Sequence, residues 1–150
     1  MLPDWLTVPA LWPLLSHRTR HPEALVNSLE TLLQRIQQSP ATIAFDEVIA
    51  AISEHYDYTP TGFHNGLGDD ALWNEAGTNA GSCRIFAFAQ LHQLDEDSTL
   101  ACFGSYYRDD VLRFPDGTDH GNIRRFMRDG WKGIRFAGNA LKPATSDPAD

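Results

Sequence analysis

The sequence predicts a mainly α fold: an α+β single domain of five helices around one central buried helix, with a small antiparallel sheet of short strands. Three observations carry that expectation. Apolar residues recur at helical spacing over 22–38 and 45–56, the segment 82–92 is apolar on more than one face, and the strand-like runs are barely of strand length. Helices dominate so far that, apart from the sheet, the chain reads as all-α.

His21-Pro22-Glu23 starts the first helix, with proline at the first helical position and an acid in the first turn. Leu25, Leu29, Leu32, Leu33 and Ile36 form its buried stripe, and Ser39-Pro40 ends it. The second helix, 45–56, repeats the spacing in Phe45, Val48, Ile49, Ile52 and Tyr56, with Asp46 and Glu47 complementing its positive end. Pro60, Gly62, Asn65-Gly66 and Gly68 exclude a helix from 57–68, leaving short strands at 62–65 and 72–75. The polar turn 73–82 runs into the central helix, whose core residues are Ile85, Phe86, Phe88, Ala89 and Leu91; Asn79 or Ser82 is the expected side-chain cap. Asp95 opens the fourth helix, which carries Leu100, Phe103, Tyr107 and Val111 to the core. Gly104 inside it implies close approach of another element. Thr118 or Asp119 caps the last helix, Gly130 closes it, and Trp131 folds back over its end. The run 133–137 alternates as a strand and is expected to pair near Phe63 or Trp73.

The chain has 150 residues, enough to bury a core without metal or disulfide staples. A net charge of −8 argues against a phosphate-backbone-binding surface, so no nucleic-acid partner is expected. Cys83 and Cys102 fall in different helices without a metal-ligand spacing, which points to reduced thiols of a cytoplasmic protein, with no metal and no cofactor. No window approaches the length of a membrane span. Residues 1–21 form an apolar arm with Trp5, Leu11, Trp12, Leu14 and Leu15; it reads poorly as a signal peptide and is expected to pack on the domain or on a partner. The domain proper is 22–141, and 142–150 is expected to be a disordered tail.

Three constellations could carry chemistry. In the first, Cys83 at a helix start is a nucleophile, with His64 or His120 as base and Asn79 or Asp119 orienting it. The alternative makes Cys83 a small apolar filler beneath the helix. The second gathers His64, Glu75, Asp119 and His120 as metal ligands, against the simpler reading that they are loop and cap residues. In the third, Arg108 and an aspartate form a buried bridge to the turn 74–82, or Arg108 and the N–H groups at the start of the central helix bind a small polar or anionic ligand.

YDYTPTGFHNG, NEAGTNAGSC followed by FAFAQL, TLACFGSYYRDDVL and PDGTDHGNIRRFMRDGWKGIRFAG occur in order with compact spacing. On these motifs the chain resembles the HopJ type III effector family, named after a protein that plant-pathogenic bacteria deliver into host cells. The resemblance implies a small, mostly helical domain without an assigned activity or cofactor. The family's motif residues here are Asn65, Gly66, Asn74, Glu75, Gly77, Asn79, Gly81, Ser82, Cys83, Tyr107, Arg108, Asp110, His120, Asn122 and Trp131. Residues 1–15, with two tryptophans and three prolines, depart from the flexible serine-rich export signal that the resemblance implies.

The resulting expectation is a non-enzymatic cytoplasmic domain that binds a protein or a small polar ligand. Its site would draw on His64, Asn65, Glu75, Asn79, Ser82, Tyr107, Arg108, Asp110 and His120. The alternative is a hydrolase or transferase dependent on Cys83, with His120 as base and Asn79 as orienting group. A third possibility is structural: Glu75, Arg108 and Asp110 as a buried network holding the turn on the helices.

Overall fold

The structure is a computed structural model that describes residues 22–144. Five α-helices occupy Pro22–Gln38 (α1), Phe45–His55 (α2), Ala80–Leu91 (α3), Glu96–Ala101 (α4) and Gly121–Asp129 (α5). A π-helical segment, Tyr106–Val111, follows α4, and single 3-10 turns cover Pro40–Thr42 and Gly130–Gly133. The strands are Tyr56–Tyr58 (β1), Phe63–Asn65 (β2), Leu72–Asn74 (β3), Arg135–Phe136 (β4) and Leu141–Pro143 (β5).

The expected centre is the observed one, with one correction. Cys83, Ile85, Phe86, Ala87, Phe88 and Ala89 of α3 are all buried, but Leu91, expected in the core, is 51% exposed because the last turn of α3 runs out past the packed elements. The Phe86 ring meets Phe63, Phe103 and Phe126 at centroid distances of 5.8, 5.4 and 5.0 Å. Trp131 closes the far side, edge-on to Phe126, with its indole N–H donating to the Leu94 carbonyl. Burying this one aromatic cluster is what makes the other elements converge on α3.

One expected helix is two. The stretch from Asp95 breaks after Ala101 because Gly104 takes φ +61, a conformation that L side chains resist. Its α-carbon also lies so close to α2 that a Cβ would stand 2.6 Å from the Phe45 backbone nitrogen. The close approach inferred from Gly104 is therefore real. The helix resumes with π geometry, the Leu112 N–H reaching the Tyr107 carbonyl at 2.9 Å.

Two small sheets exclude an all-α description. β2 lies between β3 and β4, all antiparallel, with Phe63 opposite both Asn74 and Phe136. The second sheet pairs β1 with β5, Tyr56 opposite Pro143 and Tyr58 opposite Leu141. The expected tail at 142–150 therefore begins inside a strand, and the ordered domain runs past 141. Local pattern misses this pair because Lys142-Pro143 has no apolar anchor of its own; Leu141, buried, supplies it. The rest of that tail and the arm at 1–21 lie outside the described residues.

Candidate functional site

Two helices begin at one cleft. α3 starts after Asn79 and α5 after His120, and both N-cap residues are left-handed, with φ of 48° and 51°. A residue in that conformation turns its side chain away from the helix it precedes, so neither supplies a side-chain cap. The expected caps are thus corrected. Asn79 holds the cap position of α3 but spends its amide on Asn74 Oδ1, at 2.6 Å, and Ser82 sits within the first turn. Thr118 does not cap α5, and Asp119 instead binds the Arg124 guanidinium at 2.8 Å.

The uncapped first turns line a cavity of about 460 Å³. Asn79, Gly81 and Ser82 come from α3, His120, Gly121, Asn122 and Ile123 from α5, and Phe45, Phe103 and Tyr106 wall the remainder. Successive turns of the π segment aim Tyr106 and Asp110 at His120. The two rings lie 5.4 Å apart, and the imidazole Nε2 is 3.1 Å from Asp110 Oδ2. Phe45 packs edge-on against Tyr106, fixing that wall. Two helix N-termini without side-chain caps, an imidazole and a phenol suit a small anionic or polar group.

Behind the cleft is a buried amide network. Asn65, Asn74 and Asn122 are 0%, 1% and 6% exposed. Asn65 Nδ2 donates to the Asn122 carbonyl and to Asn122 Oδ1, both at 2.9 Å. Asn74 Nδ2 donates to Asn122 Oδ1 at 3.1 Å and to the Phe63 carbonyl at 3.3 Å. Asn122 Nδ2 answers by donating to Asn74 Oδ1 at 2.8 Å. With Asn79 joined to Asn74, the network ties β2, β3, the start of α3 and the start of α5 together. Neutral amides, able both to donate and to accept, build such a network without burying charge, although Asn65 Oδ1 is buried without a hydrogen-bond partner among the described residues.

The predicted site residues therefore divide. Asn79, Ser82 and His120 line the cleft, with Asp110 at its edge and Asn65 in the network behind it. His64 lies on the outward face of β2, 4.7 Å from the cross-strand Trp73 ring, and Glu75 is exposed, accepting from the Trp73 indole. Tyr107 is half-buried against the core. Arg108 does not bridge to 74–82: its guanidinium donates to the Ile43 and Pro40 carbonyls, at 2.8 and 3.3 Å, anchoring the π segment to the start of α2. The Glu75–Arg108–Asp110 network considered as a third possibility is absent, and asparagines form the buried network instead. The candidate metal cluster weighed against loop and cap roles does not assemble, since His64 and Glu75 lie with Trp73 while Asp119 lies with Arg124; among the described residues no group of three or more His, Cys, Asp or Glu is placed to hold a metal.

Cys83 is 1% exposed, its thiol donating to the Thr61 carbonyl at 3.4 Å and lying beside the Tyr58 hydroxyl. Burial raises its pKa, and the helix start does not reverse that, because the sulfur points into the core rather than into the cleft. Burial and the neighbouring sulfur push Tyr58 up to about 12. His120 is engaged with Asp110 and Tyr106, so the nucleophile and base of the alternative reading have separate partners. The expected site list left out Asn74 and Asn122, although both stand among the motif residues, and it left out Phe45 and Tyr106 as walls. Strand parity could have found Asn74, which shares its inward phase with Leu72, as Asn65 does with Phe63.

The model of the family described as HopJ type III effector protein matches residues 29–141. The chain belongs to the HopJ type III effector family. A solved crystal structure described as that of the unknown function protein VPA0580 is 46% identical, covering 77% of this chain and 93% of its own, with a TM-score of 0.73. No curated protein matches significantly. The HopJ match contains the whole cleft, the asparagine network and Trp131, and leaves the apolar arm outside it. Among the described residues, no helix is long and apolar enough to cross a membrane.

Proposed function

We propose that this HopJ domain is a non-enzymatic binding module, acting in the cytoplasm, whose ligand is a small anionic or polar group seated where α3 and α5 begin. The observation that carries this reading is the convergence of two helix N-termini, neither capped by a side chain, on one cavity of about 460 Å³ beside His120. The asparagine network supports it by holding both helix starts at a fixed separation, so that a ligand meets N–H groups already in place. The competing reading, a Cys83-dependent hydrolase or transferase, needs an exposed, acidic thiol; the buried, raised-pKa Cys83 speaks against it. The family description suggests type III delivery, in which case the ligand would be met in a host cell.

Amide chemical shifts of the 15N-labelled protein, followed during titration with inorganic phosphate and then a panel of small carboxylates, test the proposal. The expected result is saturable movement of Gly81, Ser82, Gly121 and Asn122, abolished in Ser82→Trp, which fills the cavity. Shifts that fail to saturate, or that fall elsewhere on the surface, would remove it.

A further inference from the structure

We propose that the outer face of α5 binds a single-chain amphiphilic anion, an alkyl or acyl chain carrying a phosphate head. Two depressions meet there. Val111, Leu112, Pro115 and Met127 line an apolar trough of about 280 Å³ between the end of the π segment and α5. Beside it, Asp70, Gly117, Thr118 and Arg125 line a polar basin of about 270 Å³. Arg124 and Arg128 line both, so trough and basin open on the same two side chains. Arg124, Met127 and Arg128 share one face because residues three and four apart are neighbours on a helix. Of the residues lining the basin, Gly121 alone also lines the α3–α5 cleft, and the inference does not rest on what that cleft binds.

Each half supplies one part of the recognition. Leu112 and Met127 are 48% and 43% exposed, and Phe114, next to Pro115 in the chain, is 62% exposed, so large apolar side chains left in solvent gather at the trough. The basin carries one unmatched charge. Arg124 pairs with Asp119 at 2.8 Å, and Arg128 with Asp70 and Asp129, both at 2.7 Å. Arg125 donates only to the carbonyls of Asp70 and Gly121 and has no carboxylate partner among the described residues. The Arg128–Asp70 pair is about half exposed on both sides, so it contributes little to stability and yields its guanidinium fork to a phosphate. Inorganic phosphate gains too little from one unmatched guanidinium, and an uncharged chain too little from a half-open trough. Joined covalently, the two contacts reinforce each other. Recessed sites fit one chain and one head group better than the flat surface of an anionic bilayer, which a chain of net charge −8 would repel.

The test follows the methyl signals of Val111, Leu112 and Met127 in the full chain during titration with octyl phosphate below its micelle concentration. Saturable movement of all three is expected. Butyl phosphate, shorter by four methylenes, should bind at least about tenfold more weakly, since a buried methylene is worth up to about fourfold in affinity. Octyltrimethylammonium, with the same chain and a cationic head, should bind at least about fivefold more weakly than octyl phosphate, and inorganic phosphate should leave the three methyls unmoved. Arg125→Gln should weaken octyl phosphate several-fold while leaving octyltrimethylammonium unchanged, a difference that a merely structural role would not produce. Met127→Asp, at an exposed position, should abolish binding of octyl phosphate in a folded protein. Equal affinity for the two octyl compounds would overturn the proposal by reducing the site to a bare apolar patch. Movement of the Gly81 and Ser82 amides in place of these methyls would overturn it by assigning the anion to the α3–α5 cleft. Sedimentation with phosphatidylglycerol vesicles in the absence of any octyl phosphate shift would overturn it in favour of a membrane surface, and binding retained in Met127→Asp would count against the trough.

Discussion

Replacing Asn122 by alanine is the sharpest perturbation of this fold. It removes three side-chain hydrogen bonds: those accepted by Asn122 Oδ1 from Asn65 and Asn74, and the one donated by Asn122 Nδ2 to Asn74. No partner is stripped bare, because Asn65 Nδ2 keeps the backbone carbonyl of residue 122, Asn74 Nδ2 keeps the Phe63 carbonyl, and Asn74 Oδ1 keeps Asn79. The loss is therefore three net bonds at about 1 kcal/mol each, with the void of half a side chain adding about 1 more, or roughly 3–4 kcal/mol in all. Urea denaturation followed by tryptophan fluorescence measures it, and a melting temperature lower by roughly 2–4 °C per kcal/mol should accompany it. Asn79→Gly is the control: it removes one part-buried bond, leaving Asn74 Oδ1 its bond from Asn122, at a residue whose φ of 48° suits glycine, and should change stability by about 1 kcal/mol or less. An Asn122→Ala loss as small as that of the control would refute a buried, unhydrated network. Asn122→Asp adds a sign. A carboxylate facing Asn74 Oδ1 in the core has its pKa raised on folding, so the folded state holds its proton longer and stability should fall as pH climbs above about 4.

Gly104→Ala should cost about 2–4 kcal/mol, from left-handed strain plus the clash with the Phe45 backbone, measured by the same urea titration; a neutral result would mean α2 can move aside. Iodoacetamide should label Cys83 and Cys102 only at the rate of unfolding, since burial raises both pKa values, that of Cys102 to about 12; fast labelling of the native protein near pH 7 would revive the nucleophile reading. His92, half-buried and bonded to the Tyr56 hydroxyl at 2.5 Å, has its pKa lowered by burial. Its stabilising contribution is therefore full above the unfolded value of about 6.5 and is lost as pH falls through the folded one. His92→Gln should flatten the stability–pH curve in that window, and an unchanged slope would show that other groups carry it.

Periodicity within the chain was enough to place α1, α2 and the aromatic face of α3, because a continuous apolar stripe can be buried in only one way. Proline and glycine were equally informative at helix ends: Pro22 begins α1, and Gly130, with φ +66, ends α5. Of the motif residues, Asn79, Ser82 and His120 meet at one cavity.

What the sequence determined by itself was local: which segments bury a face and where the backbone must turn. Partnership was decided only by the tertiary structure. Arg108 is drawn to the carbonyls of Pro40 and Ile43 because α2 passes there, not because any spacing in the chain links positions 65 or more residues apart. Cys83 points inward and Asn79 turns its amide to Asn74 because the loop at 58–61 and strand β3 occupy those places once packed. Hydrophobic burial is set by each segment's own pattern, whereas a polar side chain takes whichever partner the assembled core brings within about 3 Å.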